Sequence, residues 1–241
     1  MLNNFSALPT PVYIIDEDAL RRNLEILSGV ERRTGCKILL AQKAFSAYAF
    51  YPLISEYLSG TTASGLFEAR LAHEHFRGEN HVFCPAYLEE EMDELARLCD
   101  HIVFNSFRQL QKFTRRAKNA SVGLRINPQY STQGGGIYDP CAQYSRLGIT
   151  KENFCPDLLE GVDGFHIHTL CEQGAEDLEA TVRAFERDFG EYFPKLKWLN
   201  LGGGHHITKP GYNIPLLESV IKKLSNRYGL QIYLEPGEAV A

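Results

Sequence analysis

Short apolar runs recur along the chain, each bounded by polar residues or glycine and separated by longer amphipathic stretches. Eight runs read as strands: Lys37–Gln42, Gly60–Ala63, His81–Cys84, His101–Phe104, Ser121–Ile126, Gly164–His168, Trp198–Leu201 and Gln231–Glu235. Between them the pattern predicts helices over Leu66–Phe76, Leu88–Leu98, Phe107–Ala117, Ala175–Phe189 and Ile214–Tyr228. Strands alternating with helices imply a parallel sheet, and eight units imply closure into a (β/α)8 TIM barrel. An open doubly wound sheet is the alternative.

A further helix precedes the first strand, with Asp16 as its cap and Leu20, Leu24 and Leu27 as its apolar stripe. Val12–Ile15, after Pro9 and Pro11, looks like a strand but has no partner inside a closed barrel. The expected organisation is therefore a barrel over residues 17–241 and an N-terminal segment, 1–16, that pairs with something else. The longest irregular stretch runs from Asn127 to about Tyr144 and holds Gly134, Gly135 and Gly136. A loop of that length in a compact domain is usually functional or mobile.

At 241 residues and 44% hydrophobic content the chain can bury one core of barrel size. A net charge of -5 argues against a nucleic-acid surface, which needs clustered Lys and Arg. No apolar run is long enough for a membrane span, and Met1–Ala7 lacks the pattern of a secretory signal. The six cysteines, at 36, 84, 99, 141, 155 and 171, form no CxxC pair, which points to reduced thiols and a cytoplasmic enzyme.

In a barrel, chemistry collects where strands end at their C-termini. Lys43 follows an apolar strand. A lysine in partly apolar surroundings gives up its proton more readily and becomes a nucleophile toward an aldehyde, although a surface lysine would look the same in sequence. Glu235 ends strand eight, where a carboxylate can keep a pyridine nitrogen protonated or simply pair with a neighbouring cation. Gly202, Gly203 and Gly204 follow strand seven, the place where barrels bind phosphate through backbone amides; a plain flexible turn is the alternative. His166 and His168, two apart, face one side of a strand, either as cofactor-facing imidazoles or as a metal pair. His205, His206, His73 and His75 add further imidazoles. No Asp or Glu stands at an obvious bridging position, so the expectation is no metal, with His73 and His75 solvated or structural.

Taken together, these residues resemble a known family. Leu8–Tyr13 (LPTPVY), Leu40–Lys43 (LAQK), Ala63–Glu68 (ASGLFE), Gly164–Glu172 (GFHIHTLCE), Asn200–His205 (NLGGGH) and Glu235–Val240 (EPGEAV) span nearly the whole chain. In that order they resemble the barrel half of the alanine-racemase-like, fold type III pyridoxal-phosphate decarboxylases. Within these the chain is most similar to the bacterial carboxynorspermidine/carboxyspermidine decarboxylases.

The resemblance implies pyridoxal 5'-phosphate held by Lys43 through an imine, with His168 stacked on its ring. Gly202, Gly203 and Gly204 would bind the phosphate and Glu235 the pyridine nitrogen. Arg125 would stand near the cofactor, or else form a simple ion pair. The implied reaction is decarboxylation of carboxynorspermidine or carboxyspermidine in polyamine biosynthesis, by a homodimer with shared active sites. Ornithine and diaminopimelate decarboxylases usually carry Arg after Glu-Pro-Gly and Gly-Ser after the second histidine. Here Glu238 and Leu170-Cys171-Glu172 stand instead. Those carboxylates suit a cationic polyamine tail; Cys171 either touches substrate or only packs. Relatives continue into a C-terminal β-domain that takes in the N-terminal strand and supplies a cysteine, an aspartate and a tyrosine. This sequence reaches Ala241, just past strand eight, so the expectation is one domain of a larger enzyme, weakly active alone. Two other functions stay open: a pyridoxal-phosphate homeostasis barrel without a defined reaction, and a metal hydrolase.

Overall fold

The computed structural model describes residues 8–134 and 136–241; Met1–Ala7 and Gly135, both named above, lie outside the described residues. Eight parallel strands close in sequence order into a barrel: β1 (Lys37–Ala41), β2 (Gly60–Ala63), β3 (Glu79–Phe83), β4 (His101–Phe104), β5 (Ser121–Arg125), β6 (Gly164–His166), β7 (Trp198–Asn200) and β8 (Gln231–Leu234). The seam is closed by β1 against β8, with Ile38 opposite Leu234. The open-sheet alternative is thereby excluded.

The helices are α1 (Glu17–Thr34), α2 (Tyr51–Ile54), α3 (Leu66–His75), α4 (Met92–Leu98), α5 (Phe107–Phe113), α6 (Ala175–Phe189) and α7 (Ile214–Tyr228). In α1 the Asp16 carboxylate accepts from the Ala19 N–H at 3.0 Å, and Leu20, Leu24 and Leu27 are buried, as the apolar stripe requires. Between β5 and β6 no α-helix forms among the described residues. The chain runs there through the irregular segment and two 3-10 turns, Lys151–Asn153 and Pro156–Leu158. Val12–Ile15 forms no regular element and pairs with no strand among the described residues, and Tyr13 is fully exposed.

Two apolar layers result. The large one lies between the strands' outer faces and the helices. A small one inside the barrel joins Leu39, Val103, Trp198 and Tyr233. The Trp198 indole fills the space that a Cβ on Gly123 or Gly164 would take, so both positions need glycine for volume rather than for backbone angle.

The strand N-termini are closed by a polar plug. Lys37 pairs with Glu79, Glu79 hydrogen-bonds His81 at 3.0 Å, and the His81 and His101 rings stack with centroids 3.9 Å apart. Burial works to raise the Glu79 pKa, but its bonds to His81 and Lys37 outweigh that and bring it to about 2. Burial, aided by His81, drives His101 down to about 3.

Both shifts make acid destabilising. Between about pH 6.5 and 3 the unfolded chain protonates His101 while the folded one does not, so stability falls as pH falls through that window. Glu79 acts the same way from about 4.5 down to about 2. Urea unfolding of His101→Phe at pH 7, 6, 5 and 4 is expected to show a shallower acid slope than the wild type, by up to ~1.4 kcal/mol per pH unit. Parallel slopes for the two proteins would refute it.

Candidate active site

At the opposite end, one cavity of ≈ 370 Å³, counting the space open at its mouth, is lined by residues from β1, β2, β3, β5 and β6 and from the turns after β1, β2, β6 and β8. Lys43, Arg125, His166, His168 and Glu235 all line it. Most of these groups sit one or two residues past the regular strand, where the ladder has stopped and the backbone is free to turn side chains inward.

Lys43 stands in the turn after β1 and is exposed, not sheltered in apolar surroundings as the sequence led one to expect. The reason is its place two residues beyond the strand, on the open rim. The turn is held close to the end of β8: the Ala41 N–H donates to the Pro236 carbonyl at 3.1 Å, and a Cβ on Gly237 would run into the methyl of Ala44. Lys43 and Glu235 are brought to one cavity by that close approach.

Glu235 is buried and its two oxygens are both engaged. The Asn200 amide donates to one at 2.8 Å, and His166 Nε2 lies 3.3 Å from the other. Burial would raise its pKa, but the charge and hydrogen bond of His166, with the Asn200 bond, outweigh this and hold it well below the usual carboxylate range. Burial pushes the His166 pKa down against the opposing pull of Glu235, and its Nδ1 is unpartnered among the described residues.

His168 is driven well below its ordinary value by burial, with the Arg125 and Lys43 charges adding to it. Its Nδ1 accepts from the Gly203 N–H at 3.2 Å, which fixes the tautomer with the proton on Nε2. Arg125 is buried, lies over the Phe83 ring at 4.5 Å, and has one long hydrogen bond, 3.5 Å, to the His168 carbonyl. No carboxylate pairs with it among the described residues, so the simple ion pair is not what the structure shows. Burial lowers it to about 10. A buried guanidinium without an anion is a standing demand for one.

Of the glycine turn, Gly202 and Gly204 have positive φ, 71° and 82°. A Cβ on Gly202, Gly203 or Gly204 would strike the carbonyls of Ile167, Glu235 and Leu170 respectively. Gly202 donates to the Asn200 side chain at 2.9 Å and Gly203 to His168, which leaves the Gly204 N–H without a partner among the described residues. Two of the three amides therefore orient side chains, a use that motif position alone did not reveal.

Cys171, Glu172 and Glu238 do not line the cavity; they stand on the loops after β6 and β8. Glu172 and Glu238 are exposed, and Glu238 lies 4.0 Å from His206. The Cys171 carbonyl accepts from Gln133 at 2.5 Å, which ties the irregular segment to this rim. All six cysteines are free thiols.

Of the other histidines, His73 and His75 are exposed on α3, and His205 is buried with Nε2 3.3 Å from the Gly202 carbonyl. Among the described residues one cluster has metal-ligand spacing, and it is neither His166/His168 nor His205/His206 but Glu79, His81 and His101 in the plug. Its two rings are only 7° from parallel, so no single ion lies in both ring planes, and Lys37 already neutralises Glu79.

The fold is the closed parallel barrel of the alanine-racemase-like decarboxylases, with a lysine at the rim of the first strand and a carboxylate at the end of the last. No protein-family model matches the sequence. The chain is homologous to carboxynorspermidine/carboxyspermidine decarboxylase of Campylobacter jejuni, with 45% identity over 98% of this chain and 62% of that protein. Carboxyaminopropylagmatine decarboxylase of Synechocystis is 39% identical, over 98% of this chain and 62% of its own length. The crystal structure of carboxynorspermidine decarboxylase from Campylobacter jejuni, complexed with norspermidine, superposes with a TM-score of 0.91 at 45% identity, covering 97% of this chain and 61% of that one. The chain thus spans less than two thirds of the length of these relatives. No helix among the described residues is long and apolar enough to cross a membrane.

Proposed function

We propose that the protein takes part in polyamine biosynthesis as a pyridoxal-phosphate-dependent decarboxylase, converting carboxynorspermidine to norspermidine or carboxyspermidine to spermidine. The observation that carries this is the single cavity that gathers a lysine, an anionic carboxylate and a buried, unpaired guanidinium. Those residues fit the cofactor: an aldehyde needs the amine, a ring nitrogen needs the carboxylate, and an anionic group needs Arg125. Pyridoxal phosphate, when bound, supplies an electron-accepting ring for the pair left behind as carbon dioxide departs.

This chain's residues do the rest. Lys43 would supply the amine that holds the cofactor. Glu235, kept anionic, holds a proton at the pyridine nitrogen. His168, neutral and pinned by Gly203, offers an uncharged ring face. Arg125 and the free Gly204 amide receive anionic oxygens. Glu172 and Glu238 on the rim attract the cationic polyamine tail. Cys171 is not assigned the proton delivery to Cα. The norspermidine held by the Campylobacter protein and the homology to a carboxyaminopropylagmatine enzyme both favour substrates with an amino-acid head and a long basic tail. The exposed apolar Val12–Ile15 would pair with a further β-domain, and the working form would be a cytoplasmic homodimer with shared sites.

Carbon dioxide release by the full-length protein tests the specificity. Carboxynorspermidine is expected to exceed ornithine and diaminopimelate by at least about tenfold in kcat/KM. Preference for either of those would contradict the substrate, and release from none with cofactor bound would favour a homeostasis barrel.

A further inference from the structure

We propose that Asn200 is a positioning residue that fixes Glu235 Oε1 as a hydrogen-bond acceptor, and so favours its anion, by locking its own amide to the glycine turn. The inference rests on the reading that this cavity takes pyridoxal phosphate.

Asn200 is the last residue of β7, only 1% exposed, and faces into the barrel. Its Oδ1 accepts from the Gly202 N–H at 2.9 Å, and its Nδ2 donates to Glu235 Oε1 at 2.8 Å. A side-chain amide turned by 180° would set N–H against N–H at the turn and oxygen against oxygen at Glu235. The Gly202 amide, which can only donate, therefore fixes the orientation. Once it is fixed, Asn200 can only donate to Glu235, and the oxygen it meets must carry no proton.

The other groups around Glu235 also favour its anion, but none offers a donor whose orientation the glycine turn locks. His166, from β6, is 3.3 Å away and can donate or accept at Nε2 according to its tautomer. Arg125, from β5, and Lys43, after β1, line the same cavity without an ion pair to it. His168 is committed to Gly203. Among the described residues Asn200 is thus the side-chain partner of Glu235 whose donor role is fixed by a backbone amide. It also links that charge to the turn: Glu235 itself donates its N–H to the Gly202 carbonyl at 2.8 Å. A ring nitrogen at Glu235 and an anion at the glycine turn would be registered by one side chain.

The test compares Asn200→Asp and Asn200→Ser with the wild type in the full chain. Aspartate keeps the shape and the acceptor for Gly202, but sets a second carboxylate against Glu235, so the pair must share a proton. Serine keeps a local acceptor and cannot reach Glu235. Three quantities are measured: the melting temperature without cofactor, the Kd for pyridoxal phosphate, and the visible band of the bound cofactor from pH 6 to 9. Asn200→Asp is expected to weaken cofactor binding at least about tenfold, the scale of a hydrogen bond to a charged group. It is also expected to add a pH-dependent change in the band that the wild type lacks. Asn200→Ser weakens binding at least about threefold and adds no new titration. A merely structural role would lower the melting temperature and leave the pH profile of the bound band alone. If Asn200→Asp does not fold, Asn200→Ser decides, and wild-type affinity in it overturns the proposal. Wild-type affinity and an unchanged pH profile in Asn200→Asp overturn it as well. A wild type that takes up no pyridoxal phosphate instead brings down the cofactor reading on which this one stands.

Discussion

Lys43→Ala in the full-length protein is expected to lose covalent retention of pyridoxal phosphate and to decarboxylate at least about 10³-fold more slowly. Lys43 is the one lysine among the residues that line the cavity, so no neighbour can substitute for its amine. Its exposed position on the turn after β1 means that removal opens no core cavity and breaks no ion pair found among the described residues. Unfolding free energy should stay within about 0.5 kcal/mol of the wild type. A large activity loss with an unchanged unfolding midpoint is the combination that identifies a chemical role. Retained turnover would remove Lys43 from the mechanism.

Glu235→Gln is expected to keep the cofactor and lose about 10²–10³-fold in kcat, the range for removing one preorganised electrostatic partner. The substituted amide oxygen can still accept from Asn200, so the β7–β8 contact and the fold should persist. What disappears is the negative charge, and with it the reason for a ring nitrogen to hold its proton. Steady-state kinetics at saturating cofactor would show this as a fall in kcat larger than any change in KM. A loss smaller than about fivefold would mean that another group supplies the charge.

Much of this was readable from residue order. All eight strands lie where alternation placed them, and α6 and α7 have the predicted ends, because long amphipathic runs with clear caps leave little choice. The errors concentrate at the strand C-termini. The pattern extended β1 to Gln42, β5 to Ile126, β6 to His168, β7 to Leu201 and β8 to Glu235, whereas each regular strand stops one or two residues sooner. Those extra residues include His168 and Glu235, two of the side chains that build the site. In β3 the pattern overran to Cys84 against Phe83 and also missed the start: Glu79 reads as loop by charge, yet it is satisfied inside the plug by Lys37 and His81. Likewise α4 begins at Met92 rather than Leu88, and α5 ends at Phe113 rather than Ala117, since turns replace the expected helical ends.

The site was legible as a set of strand-end residues and not as a set of bonds. Arg125 could be placed near the cavity, but its lack of an anion depends on which carboxylates the other strands present. Asn200 lay inside a recognised motif without being singled out. Its importance comes from two partners, one two residues on and one thirty-five residues on, which only barrel closure brings together. The stacked His81 and His101 are hidden for the same reason, since neighbouring strands contribute one ring each.

The most direct measurement is mass mapping of the full-length protein after incubation with pyridoxal phosphate and reduction with borohydride. A single phosphopyridoxyl adduct on the peptide holding Lys43 is the expected result. No adduct, or one placed on a different lysine, would contradict the assignment of this cavity.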